Sequence, residues 1–192
     1  MTNSTVTAVF AAYTECGAYG LGKTLPWPSG SLPGDLPRFK KITTTEHMNV
    51  LICGKTTAMS MGNVVLGDKR ILIGVSSSVK DYGGGYGHGR HYAQNFEEAH
   101  KLALTFNPHR IFYIGGESAW LHGAEIADEM FLTIVGRRCD DGGTTRLKTP
   151  LHLIAQDNGM RLEEREARQN KGEGAWVRNY NFERWSQPKE QN

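Results

Sequence analysis

The chain has no apolar run long enough to cross a bilayer. Its longest apolar stretches, Ala8–Tyr13 and Ile71–Val75, have the length of core strands, far short of the ~20 residues a spanning helix needs. Cysteine is scarce too. Cys16, Cys53 and Cys139 are odd in number and far apart. None belongs to a CxxC pair or lies beside a histidine-rich cluster, so free thiols in a reducing compartment are expected, with no disulfide framework and no metal site. Charge of one sign is also lacking. A net charge of +2, with no basic run interleaved with aromatics, gives nucleic acid nothing to recognise. Local positive charge can still hold a small anion. Met1–Thr7 lacks the positive region of a signal peptide, so a cytoplasmic location is expected.

What remains is ordinary globular composition. With 192 residues, 39% hydrophobic and 22% charged, the chain can bury a core as one domain over residues 1–186, ending in a polar tail at 187–192. Short β-rich runs alternate with helical segments, which predicts an α/β architecture. Strands are expected at Val6–Ala12, Asn49–Cys53, Arg70–Ser76, Arg110–Ile114, Met130–Val135, Leu151–Ala155 and Ala175–Phe182. Most have near-continuous apolar interiors, as strands covered on both faces do. Helices are expected at Asp35–Ile42, Thr57–Met61, Asn95–Thr105 and Ser118–His122. In the third, Phe96, His100 and Leu104 recur every four residues. Thr14–Pro33 is a long Gly- and Pro-rich connection, of a length that usually serves a function. Asp81–Arg90, reading DYGGGYGHGR, fails the dinucleotide-binding pattern because its third glycine would fall at His88. It reads as a flexible loop.

Four segments carry chemistry. In Leu32-Pro33-Gly34-Asp35-Leu36-Pro37-Arg38-Phe39, Pro37 is tolerated only in a first helical turn, so the helix starts close to Asp35. Asp35 and Phe39 are then one turn apart with Leu36 beside them, placing a carboxylate on the apolar face. Locally, a helix-capping aspartate is the simpler reading. Cys53-Gly54-Lys55-Thr56-Thr57 follows a strand, but a Walker A motif needs glycine where Asn49 stands. The turn still offers backbone N–H groups and a helix N-terminus to a phosphate. A plain turn with a solvated lysine fits as well. Ile114-Gly115-Gly116-Glu117-Ser118 is a second such turn, and two favour a dinucleotide over a single phosphate. Arg70 opens a strand that runs into Ser76-Ser77-Ser78. Arginine can grip a carboxylate bidentately, and such hydroxyls can meet a ribose phosphate.

Read together and in order, these segments resemble dihydrofolate reductase from about Val6 to Trp185. Gly20-Leu21-Gly22-Lys23-Thr24-Leu25-Pro26-Trp27 is similar to the family's mobile active-site loop, and Leu32 to Leu36 with Phe39 to its catalytic helix. Arg70 precedes Ser76 by the family's spacing. Ile114-Gly115-Gly116 resembles its paired-glycine turn, Leu132-Thr133 the strand that backs the acid, and Tyr180-Asn181-Phe182-Glu183 its closing strand. The resemblance implies a central, mostly parallel, mixed β-sheet flanked by helices. It also implies NADPH-dependent reduction of dihydrofolate, by hydride transfer to C6 and protonation at N5.

The same resemblance assigns roles. Asp35 would hold the pterin, with a carboxyl pKa raised by burial. Thr133 would hydrogen-bond it, Trp27 would order a water, and Leu25 would gate that water's entry. Phe10, Ala12 and Ile114 would border the pterin; Leu36, Phe39 and either Val65 or Leu66 would line the benzoyl-glutamate channel, and Arg70 would take the α-carboxylate. For NADPH, Ala12 and Ile114 would approach the nicotinamide. Gly54, Thr57, Gly116, Glu117 and Ser118 would surround the pyrophosphate, and Lys55 with Ser77 would take the 2′-phosphate. Gly20, Leu21, Thr56, Val75, Ser76, Ser78, Gly115 and Trp120 complete the implied contacts. Trp120 in place of a tyrosine, Thr56 beside Lys55, Pro37 in the helix and the segment Asp140–Thr145 depart from the family pattern. Dihydrofolate and antifolate-type molecules are the implied ligands of a monomer. A flavin-synthesis reductase of this fold, acting on a phosphoribosylated pyrimidine, is the rival enzyme. It has no call for Asp35 or Arg70. A non-catalytic interaction domain is the other alternative, and would have lost the acid or filled the cofactor turns.

Overall fold

In the computed structural model, the described residues are 5–22, 24–27, 30–61, 66–78, 89–136, 144–169 and 179–188. The elements are β1 (Val6–Thr14), β2 (Ala18–Leu21), α1 (Asp35–Thr43), β3 (Asn49–Gly54), α2 (Lys55–Ser60), β4 (Arg70–Val75), β5 (Arg90–Ala93), α3 (Phe96–Thr105), β6 (Arg110–Gly115), α4 (Glu117–Ile126), β7 (Glu129–Val135), β8 (Thr144–Arg146), α5 (Leu151–Asp157), β9 (Arg161–Gln169) and β10 (Asn179–Ser186). Eight strands form one sheet in the order β5-β4-β3-β6-β1-β7-β10-β9, and β2 pairs with β8 separately. The pairings β1–β6, β3–β4, β3–β6 and β4–β5 are parallel. β10 runs antiparallel to both β7 and β9. The sheet is therefore mixed and mostly parallel, with helices flanking it, as expected.

Contact density divides the chain into two compact units, Met1–Phe10 with Lys40–Asp128, and Ala11–Phe39 with Glu129–Asn192. In the first, β3, β4 and β6 bury Val50–Cys53, Leu72, Ile73 and Ile111–Tyr113 almost completely. That burial on both faces explains their unbroken apolar character. Fully buried Asn49 ties the strand starts together. Its amide donates to Thr43 O at 3.0 Å, and its carbonyl accepts from Arg110 N at 3.1 Å. Asn95 caps α3 by accepting from Glu98 N at 2.8 Å, and the Glu98 carboxylate accepts from Gln94 N at 3.1 Å.

In the second unit, every residue of β7 is buried, and β10 sends Tyr180, Phe182 and Trp185 into the core. Glu183, 2% exposed, is held by Arg165 at 2.8 Å and by the Trp185 indole N–H at 2.8 Å. β9 is exposed throughout. Its Arg and Glu side chains protect the sheet edge from pairing with another chain.

Several expectations need correction. Leu151–Ala155 is the start of α5. Pro150 precedes it, Leu151 and Ala155 are buried one turn apart, and Leu153 is exposed; a five-residue apolar run cannot separate that period from a buried strand. β9 is too charged to read as a strand. The closing strand is described over Asn179–Ser186 and runs past its expected end at Phe182; residues 175–178 lie outside the described residues. The long connection contains a short strand, β2, and α4 extends to Ile126. Residues 81–88 of the glycine-rich stretch lie outside the described residues. Cys16 is disulfide-bonded, against the expectation of three free thiols, because separation along a chain does not limit approach in a fold. Cys53 is free and buried, and burial pushes its thiol pKa up to about 12. Cys139 lies outside the described residues.

Candidate active site

The second unit holds the expected acid. Asp35 is the first residue of α1, where Asp35 N donates to Leu32 O at 3.1 Å and Arg38 N to Gly34 O at 3.0 Å. Pro37, third in the helix, sacrifices only an N–H that the first turn leaves unpaired. A Cβ on Gly34 would approach Phe182 to 3.1 Å and the Tyr180 hydroxyl to 3.3 Å, so glycine lets the helix start lie tight against β10.

The Asp35 side chain turns away from a capping role. Its Oδ1 accepts a hydrogen bond from the Thr133 hydroxyl at 2.6 Å, a length typical of O–H donation to a carboxylate. Burial raises the carboxyl pKa above its ordinary value, while the Thr133 bond and the Arg38 charge oppose the rise. Among the described residues, Thr133 is the hydrogen-bond partner of the carboxylate. Trp27 lies in a buried cluster with Leu32, Val135, Tyr180 and Phe182, against which Ala12 packs. Phe39 is half-buried. Leu36 and Leu25 are 74% and 55% exposed. Gly20 and Leu21 pair with β8 through β2.

The first unit holds both glycine turns. β3 and β6 are parallel neighbours, so their following turns emerge at one sheet edge. Gly54 caps α2 and Gly116 caps α4. A Cβ on Gly115 would lie 2.7 Å from the Thr57 Cγ2, and Gly116 has φ 76°. The first glycine gives room and the second gives left-handed backbone. The β3–β6 register skips Ile114, a one-residue bulge just before the turn. Lys55 and Thr57 are half-buried at the start of α2, and Thr56 and Ser118 are exposed. Val75 is buried, and Ser76 Oγ lies 3.0 Å from Ser78 Oγ, with Ser77 exposed between them.

Trp120 is buried in α4, and its indole N–H donates to Phe10 O at 3.0 Å. Arg70 donates from Nε to Leu66 O at 2.9 Å and from Nη1 to Thr43 Oγ1 at 3.1 Å. Those two bonds fix the guanidinium's stem. Val65 lies outside the described residues. Among the described residues, no group of three or more His, Cys, Asp or Glu side chains is placed to hold a metal ion.

Thus Asp35, Thr133 and Trp27 gather in one unit, while Gly54 to Thr57 and Gly115 to Ser118 gather in the other. Sequence reasoning missed Arg38. Its only signal was its position, three residues after Asp35 and hence on the same helical face.

The mostly parallel α/β sheet, the glycine turns after β3 and β6 and the desolvated carboxylate opening α1 accord with an oxidoreductase, the class that the family match shows. The family model for dihydrofolate reductase matches residues 5–166. The chain belongs to the dihydrofolate reductase family. No curated protein matches the sequence significantly.

Proposed function

We propose that the protein reduces 7,8-dihydrofolate to 5,6,7,8-tetrahydrofolate with NADPH as the reductant. Family membership supports the reaction class, and the 2.6 Å bond from Thr133 to Asp35 supports the assignment of the acid. NADPH, when bound, supplies the hydride that C6 receives. The residues present fit that cofactor. Gly115 leaves no space for a side chain against Thr57, Gly116 opens α4 in left-handed backbone, and Lys55 adds a point charge for the 2′-phosphate. Ser77 supports that phosphate, and Gly54, Thr57, Glu117 and Ser118 flank the pyrophosphate.

The Asp35 carboxylate accepts hydrogen bonds from the pterin amino group and ring N–H. This raises the proton affinity near N5, and a water ordered by Trp27 and admitted past Leu25 delivers the proton. Leu36 and Phe39 contact the benzoyl group. Arg70 takes the α-carboxylate, as a guanidinium suits a carboxylate. The enzyme acts as a cytoplasmic monomer on dihydrofolate and is open to antifolate-type competitors.

The test follows NADPH absorbance at about 340 nm with dihydrofolate, with NADH in parallel. Oxidation that needs dihydrofolate and prefers NADPH supports the reading. Consumption of a phosphoribosylated pyrimidine in place of dihydrofolate overturns it.

A further inference from the structure

Arg38 is a half-buried cation on the face of α1 that carries Asp35. Burying a guanidinium is costly unless its donors are satisfied, and here they are. Nη2 donates to Glu183 O at 2.9 Å and Nη1 to Leu132 O at 3.3 Å, the carbonyls of residues paired across β7 and β10. The guanidinium lies 4.6 Å from the centre of the Phe182 ring and 5.9 Å from that of Phe131. These anchors leave Nη1 aimed at the Thr133 hydroxyl oxygen, 3.5 Å away.

A hydroxyl has one hydrogen and two lone pairs. With an N–H directed at its oxygen, the Thr133 hydroxyl cannot turn its hydrogen back toward Arg38. The hydrogen points at Asp35 Oδ1, 2.6 Å away. Oδ1 then already accepts one strong hydrogen bond, which leaves Oδ2 the more basic oxygen and the preferred place for a proton taken up by Asp35.

We infer that Arg38 is a positioning residue, orienting the Thr133 hydroxyl so that Asp35 carries its exchangeable proton on Oδ2. This rests on the reading of Asp35 as the pterin-binding acid. Without the guanidinium, the hydroxyl could rotate and accept from a protonated Oδ1, making the two oxygens equivalent and the neutral carboxyl easier to form. The charge balance agrees. Arg38 lowers the Asp35 pKa, and Asp35, Glu164 and Glu166 raise that of Arg38 against its burial. Other charged groups on the adjoining strands form pairs of their own. Glu183 pairs with Arg165, and Arg184 with Glu129 and Glu164. Arg168 pairs with Glu166 and lies 5.7 Å from the centre of the Phe182 ring.

The experiment measures kcat/KM for dihydrofolate against pH in wild type, Arg38→Met, Arg38→Lys, Thr133→Val and the Arg38→Met/Thr133→Val double variant. Thermal melting and NADPH-induced tryptophan quenching verify folding. Arg38→Met is expected to move the limb governed by Asp35 to higher pH by about one unit, on the scale of a neighbouring opposite charge. Arg38→Lys restores part of that movement, because it returns charge without the planar fork. In the Thr133→Val background the Arg38→Met effect shrinks, because the hydroxyl it acts through is gone.

A limb that superimposes on wild type in Arg38→Met, or full additivity of the two changes, overturns the inference. Should Arg38→Met fail to fold, Arg38→Lys decides, since an unmoved limb there with an unchanged response to Thr133→Val also overturns it. Loss of turnover in Asp35→Asn with an unmoved Arg38→Met limb sinks only the role of Arg38. Full turnover in Asp35→Asn sinks the reading of the acid itself.

Discussion

Thr133→Val removes one atom's chemistry from the site and little else. Thr133 is fully buried in β7, and valine matches its shape and its preference for strands. The lost contacts are the 2.6 Å hydroxyl bond to Asp35 Oδ1 and the 3.5 Å approach of Arg38 Nη1 to the hydroxyl oxygen. A hydrogen bond to a charged group contributes about 1.5–3 kcal/mol, or about a ten- to hundredfold change in a protonation equilibrium. The bond lowers the carboxyl pKa against burial, so its removal favours the neutral acid. The limb of the pH profile that Asp35 governs should move to higher pH accordingly. The assay is single-turnover reduction of dihydrofolate across the neutral range, with NADPH affinity measured separately and expected unchanged. A pH profile and rate that match wild type in a folded variant would refute the reasoning.

Three further outcomes are expected. Asp35 has a raised folded pKa, so its contribution to stability is full below the unfolded value and lost as pH rises through the folded one. Asp35→Asn should therefore raise the melting temperature at neutral pH, with the gain fading below about pH 4, where both states are protonated. Gly115→Ala places a methyl 2.7 Å from Thr57 Cγ2; overpacking of about 1–3 kcal/mol should weaken NADPH binding about tenfold and leave dihydrofolate binding intact in titration calorimetry. Lys55→Gln should lower NADPH affinity about tenfold or more, on the scale of a charge-assisted bond. NADH affinity should stay the same, as judged by fluorescence titration.

The parallel strands were legible because burial on both faces leaves unbroken apolar runs, as in Val50–Cys53 and Ile111–Tyr113. Pro37 marked the start of α1 because few helical positions tolerate it. β9 was not legible. An exposed edge strand rich in Arg and Glu carries no clear apolar period, and its pairing with β10 makes it a strand. α5 was misread because five apolar residues fit either period. The Asp35 side chain was ambiguous locally, since a cap and a site acid share the same position. Its bond to Thr133, 98 residues away, separates them. Arg38 stayed hidden for a similar reason: the carbonyls of Leu132 and Glu183 that fix it leave no mark on side-chain sequence. Cys16 shows the reverse limit, because its bonded state depends on approach in space.

The central claim is that Asp35 enables the reduction of dihydrofolate. Its most direct test compares wild type with Asp35→Asn in the oxidation of NADPH by dihydrofolate, read at about 340 nm across the pH range where the raised carboxyl titrates. Turnover by wild type that collapses in a folded Asp35→Asn enzyme still able to bind NADPH is the predicted result. Turnover of comparable rate in both proteins, or none in folded wild type, would contradict it.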